Sequence, residues 1–96
     1  MKVRQRLGEG MNRRDEILTI MAEECAEVIQ EIMKVKRFGD QEHDGQTAMQ
    51  RLEKELGDLY CMIDLLWQDD YISWTKLDEF SKAKSEKLKK WSNLEL

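Results

Sequence analysis

The chain has 96 residues, no proline and five glycines, and its 20 acidic and 16 basic side chains give a formal net charge of -4. That length suggests one domain with a thin core, and the acidic balance argues against broad duplex nucleic-acid binding, which needs a clustered positive surface. Charged residues at 38% and hydrophobic residues at 41% fit a solvated globular protein; a disordered chain would be poorer in apolar residues and more one-sided in charge.

The longest apolar runs are only a few residues, so no membrane span is expected. Lys2, Arg4 and Arg6 are followed by no apolar stretch, which argues against a secretory signal and for a cytoplasmic protein. Cys25 and Cys61 lack CxxC spacing and are expected to be buried free thiols.

In chain order, residues 1–11 read as a short N-terminal arm and residues 12–96 as one helical domain. Asn12 is a candidate N-cap, with Asp15 placed near the positive end of a first helix running from Arg13 to Arg37. Phe38-Gly39-Asp40 closes it, glycine being suited to the left-handed turn after a helix. Asp40 to Gln46 is polar and reads as a loop. A second helix is predicted from Thr47 to Gln68, broken by Asp69, Asp70 and Tyr71. Thr75 with Asp78 resembles a capping box for a third helix over Lys76–Trp91. No sustained alternation of β-branched residues signals a strand. The expected fold is therefore all-α: three main helices per chain in a bundle completed by oligomerisation, because so short a domain gains apolar burial by pairing with a second copy.

Placing the residues around each helix at roughly 100° per residue locates the charges. With Glu24 at zero, Glu27 falls near -60° and Glu31 near -20°. Ile17, Leu18, Met21, Cys25, Val28, Ile29 and Ile32 form the adjacent apolar arc. In the second helix, with Glu55 at zero, Asp58 falls near -60°, beside the arc of Leu52, Leu56, Leu59, Ile63, Leu66 and Trp67. When the two apolar arcs pack antiparallel, both acidic pairs converge at the rim of the interface. Four such carboxylates repel one another unless protons or cations neutralise them. Hard oxygen donors suit Mg²⁺ or Mn²⁺, and no His or Cys joins them to favour zinc. A single ExxE pair is commonly just a solvated helix face; two pairs on the matching edges of adjoining stripes are harder to explain that way.

Glu23-Glu24-Cys25-Ala26-Glu27, followed by Glu55-Leu56-Gly57-Asp58, resembles the EExxE and ExxD signature of MazG-like pyrophosphohydrolases, over about residues 12–91. The resemblance implies hydrolysis of a nucleoside triphosphate between its α- and β-phosphates, giving a monophosphate and pyrophosphate. It implies Glu24, Glu27, Glu55 and Asp58 as magnesium ligands, with manganese a possible substitute. Glu23 and Glu24 are then the candidate catalytic residues, Glu23 in orienting water or a second metal. It also implies phosphate-binding lysines in the last helix, where the candidates are Lys82, Lys84, Lys87 and Lys90, with Lys84 and Lys87 one turn apart and preferred, and a homo-oligomer, either a dimer or a dimer of dimers.

Lys34, Lys36 and Arg37 complement the first helix dipole, and Lys34 is in addition a candidate contact for a substrate phosphate. Asp40-Gln41-Glu42-His43-Asp44-Gly45 opens like an EF-hand loop, but its twelfth position is Arg51 where a bidentate Glu is required. His43 reads as a solvated loop residue, and Trp67, Trp74 and Trp91 as core or interface packing. Ile29, Tyr60 and Trp67, on the far edges of the arcs, are the candidate contacts with a second subunit. The competing function is a non-catalytic helical oligomerisation or regulatory module.

Overall fold

The computed structural model describes residues 10–96, and these form three α-helices: α1 (Arg13–Phe38), α2 (Ala48–Gln68) and α3 (Trp74–Trp91). The expected all-α class and helix order are borne out. The arm expected over residues 1–11 falls outside the described residues except for Gly10 and Met11. No helix among the described residues is long and apolar enough to cross a membrane.

Each helix boundary has a local cause. The Asn12 side chain accepts a hydrogen bond from the Asp15 amide at 2.8 Å, satisfying one of the donors left open in the first turn of α1. At the other end Gly39 adopts φ 73° and its amide returns to the Val35 carbonyl at 2.8 Å, a conformation that a Cβ would strain. Thr47 precedes α2 as a cap and does not form its first turn. Its hydroxyl accepts from the Gln50 amide at 3.1 Å, while the Gln50 side chain accepts from the Thr47 amide at 2.8 Å, a reciprocal capping box.

The segment between α1 and α2 is more ordered than a polar loop. His43 and Gln46 exchange two backbone hydrogen bonds, at 2.8 and 3.1 Å, across Asp44 and Gly45 at φ 53° and 79°. Positive φ at both central residues is the requirement of the tightest hairpin turn, which Asp-Gly meets readily.

Residues up to Leu65 and residues from Leu66 onward form two compact units. In the first, Ile17, Val28, Ala48 and Met62 are buried; each fully buried large aliphatic stabilises by roughly 1.5–3 kcal/mol. Much of the two apolar arcs stays open, however. Leu18, Ile32 and Leu56 are exposed, and Ile29 and Tyr60 are each 60% accessible. Cys25 and Cys61 are free thiols as expected, but both are exposed rather than buried, because one helix pair covers only part of each arc.

In the second unit α2 ends in a six-residue wrap. The Tyr71 amide reaches the Leu66 carbonyl at 2.9 Å and the Asp70 amide reaches Trp67 at 3.0 Å, with Asp70 at φ 63°, the Schellman arrangement. α3 starts two residues earlier than the sequence suggests. Its cap is Ser73, whose hydroxyl accepts from the Lys76 amide at 3.1 Å, and not Thr75 with Asp78. The earlier start places Trp74 against Trp67, ring centroids 6.3 Å apart, an aromatic contact that a start at Lys76 would leave outside the helix.

Candidate metal centre

Glu24 and Glu27 lie one turn apart on α1, and Glu55 and Asp58 one turn apart on α2. The ladder between the helices fixes their sense: Glu27 meets Glu55, while the later Glu31 meets the earlier Arg51, so the pair is antiparallel. The two acidic edges therefore face one another. One carboxylate oxygen from each of Glu24, Glu27, Glu55 and Asp58 lies within 4.8 Å of the other three. Glu23, their neighbour in the sequence, is exposed and stands outside this group.

The group bears the marks of uncompensated negative charge. The Glu55 carboxyl is pushed up from the ordinary 4.5, first by a hydrogen bond with Glu27, next by burial, with the charges of Glu27 and Asp58 adding to it and Lys54 opposing. Two like carboxyls this close share a proton more readily than they both ionise. Lys54 supplies part of the missing charge: its ammonium lies 2.8 Å from Asp58 and 3.6 Å from Glu55. The hydrogen bond to Asp58, followed by the charges of Asp58 and Glu55, holds Lys54 above its usual value. That lysine is exposed, so water screens its contribution.

Two oxygens of the group, Glu24 Oε2 and Glu55 Oε2, are buried and accept no hydrogen bond. Buried carboxylate oxygens without a donor are costly, and a cation between the helices would satisfy both. An all-carboxylate donor set with this spacing fits a hard divalent ion. The residues present therefore fit a divalent metal.

Comparison with known proteins decides the family. The model of the MazG nucleotide pyrophosphohydrolase domain matches residues 12–90. The chain belongs to the MazG nucleotide pyrophosphohydrolase family. No curated protein and no solved structure matches it significantly. The MazG domain makes the chain a nucleotide pyrophosphohydrolase, a family that works with a divalent metal. The matched span takes in all four converging carboxylates, α1 and α2 whole, and α3 except for its last residue.

The other residues anticipated for the MazG site are less closely gathered. Lys34 pairs with Glu31 at 3.2 Å and lines a cavity of about 520 Å³, together with Phe38, His43, Gln46 and Arg51. On α3, Lys82 is paired with Asp78 and Lys89 with Glu86, whereas among the described residues no ion pair engages Lys84 or Lys87. Both are exposed. Lys54 and Arg51, near the cluster, are not among the residues predicted for the site from sequence, and Glu31, placed on the acidic edge by its helical angle, is given no role there. Glu31 had a visible signal, since its helical angle falls between those of Glu24 and Glu27. Arg51 had one too, lying four residues before Glu55 and hence one turn away on the same face.

Proposed function

We propose that this MazG protein hydrolyses a nucleoside or deoxynucleoside triphosphate to the monophosphate and pyrophosphate, with Mg²⁺ held by Glu24, Glu27, Glu55 and Asp58. The observation that carries this reading is the convergence of those four carboxylates within 4.8 Å, two of them with buried oxygens lacking any donor. A helical oligomerisation module has no use for such an arrangement, which costs stability until a cation arrives. Magnesium supplies, when bound, neutralisation of phosphate oxygens and acidification of a bound water.

The chain's own residues supply position and proton acceptance. Glu24 and Glu55, with oxygens buried between the helices, fix the site's depth; Glu27 and Asp58 complete its outer edge. Glu23 reaches solvent beside Glu24 and orients water at the α-phosphorus, pyrophosphate being the leaving group. Lys84, Lys87 and Lys34 meet phosphate oxygens; the exposed ammonium groups of Lys84 and Lys87 are available to do so. The test is pyrophosphate release from a panel of canonical and modified triphosphates with magnesium. Glu24→Gln, Glu27→Gln, Glu55→Gln and Asp58→Asn should each remove most turnover, and full activity in two of them would sink the assignment.

The same reading makes the protein a homo-oligomer, at least a dimer. Leu18, Ile29, Ile32, Leu56, Tyr60 and Trp67 are all exposed on the described chain, more apolar surface on two helices than a soluble monomer ordinarily leaves open. Light scattering at micromolar concentration should give at least twice 11.5 kDa; a stable, active monomer would remove this part of the proposal.

A further inference from the structure

Glu31 is the one charged residue buried among the described residues, at 9% accessibility. Its Oε1 accepts a hydrogen bond from Lys34 at 3.2 Å on the same helix. Its Oε2 faces Arg51 Nε on α2 at 3.6 Å. That separation is an ion pair and too long for a hydrogen bond, and the oxygen accepts no other. Arg51 is held from its other side as well. Its Nη1 donates to the Gln46 carbonyl at 2.9 Å and reaches the His43 carbonyl at 3.5 Å. Those are the two residues that close the Asp44-Gly45 turn. The guanidinium is thus fixed by the connecting hairpin and cannot follow Glu31 if α1 shifts.

We infer that Glu31 and Arg51 are positioning residues that set the spacing of α1 and α2 at the metal-binding carboxylates; this rests on the metal site proposed above. Glu31 lies one turn beyond Glu27 on α1 and Arg51 one turn before Glu55 on α2. The pair is therefore the next rung of the antiparallel ladder after Glu27–Glu55, about 6 Å along the helices. The rungs act oppositely. Four carboxylates push the helices apart where the metal must bind, and the part-buried ion pair draws them together one turn away. Arg51 is the partner that Glu31 has across the interface, Lys34 being on its own helix, so the pair ties α1 to α2 at this rung. Arg51 is not among the groups that shift Glu55, whose causes are Glu27, burial, Lys54 and Asp58. Its contacts are with Glu31 and the hairpin carbonyls, so we assign it an effect of position.

The experiment is Mn²⁺ binding to the intact metal-free protein, followed by the paramagnetic resonance of free Mn²⁺, alongside circular dichroism to confirm folding. Wild type and Asp58→Asn bracket the measurement. Arg51→Met and Glu31→Gln should each weaken Mn²⁺ binding on the order of tenfold, as loss of groups that orient metal ligands does. Arg51→Lys keeps the charge but lacks the separate Nε and Nη1 that face Glu31 and the hairpin carbonyls at once, and should fall between. The double variant should bind no more weakly than the poorer single one, since one interaction is being removed twice. At saturating Mg²⁺, kcat should stay within a few-fold of wild type, because neither side chain touches the reacting atoms. Folded Arg51→Met with wild-type Mn²⁺ affinity would overturn the inference while leaving the metal site standing. If Arg51→Met does not fold, unchanged affinity in Arg51→Lys overturns it equally. No Mn²⁺ binding in wild type, or binding indifferent to Asp58→Asn, would remove the metal site and the brace together.

Discussion

Replacing Glu27 by Gln should make the metal-free protein more stable and the metal-bound one useless. Its carboxylate stands within 4.8 Å of three others. At that separation each like-charged pair repels by roughly 3.5 kcal/mol at an effective dielectric constant of about 20, and by about 0.9 kcal/mol in water. Glu27 is exposed, which favours the lower figure, and Lys54 offsets part of the cluster's charge. A net relief of about 1 kcal/mol is a conservative expectation, corresponding to a rise of about 4–8 °C in melting temperature for a domain of this size. The amide keeps a hydrogen bond to Glu55 available, since Gln donates through its own N–H groups. The assay is thermal unfolding in chelator and in millimolar Mg²⁺, above the carboxylate range of pH. Wild type should gain stability from Mg²⁺, as any ligand confined to the folded state confers, whereas Glu27→Gln should start higher and gain little. A lower melting temperature in chelator, with the Mg²⁺ response intact, would refute both the repulsion argument and the role of Glu27 as a ligand.

The raised Glu55 group makes a second prediction, whose sign follows from linkage. The folded state binds this proton more tightly than the unfolded chain, so its contribution is fully present below the ordinary value of 4.5 and is lost as pH rises through the higher folded value. Glu55→Gln should flatten that fall in metal-free melting temperature, and an unchanged slope would assign it to another group. Asp70→Gly should stabilise by about 0.5–1 kcal/mol by relieving a left-handed residue, since Asp70 sits at φ 63°; denaturant unfolding reads the shift in midpoint, and a loss of stability would mean that the Asp70 side chain contributes more than its backbone costs. Thr47→Ala should cost about 1 kcal/mol through loss of an α2 cap, and a neutral result would show that the Gln50 side-chain hydrogen bond suffices alone.

Helical periodicity fixes the direction in which a side chain leaves its helix, and for this chain that is enough to bring Glu24, Glu27, Glu55 and Asp58 to one edge. It does not fix depth. Glu31 has nearly the same helical angle as Glu24, yet it is the buried one, because Arg51 and Lys34 come to it and α2 closes over it. The same blindness explains the cysteines. Cys25 shares an arc with Val28, but Val28 is buried and Cys25 is exposed. Caps fail for a different reason: Ser73 and Thr75 both offer a hydroxyl before an apolar run, and the choice goes to Ser73 where Trp74 also finds Trp67. That contact is invisible to a reading that takes one helix at a time.

Depth also decides how the site balances stability against function. On wheel angle alone, Glu31 would be a fifth member of the acidic group, and five carboxylates would repel more than four. The structure instead withdraws Glu31 from that group by giving it two cations, at 3.2 and 3.6 Å. Its charge then attracts across the interface where its neighbours' charges repel. A carboxylate at this azimuth therefore works for or against closure of the helix pair according to whether a basic residue stands opposite it on α2. Arg51 stands opposite Glu31 and closes the pair there; Glu55 and Asp58 stand opposite Glu27 and Glu24, and the exposed Lys54 beside them offsets only part of that repulsion.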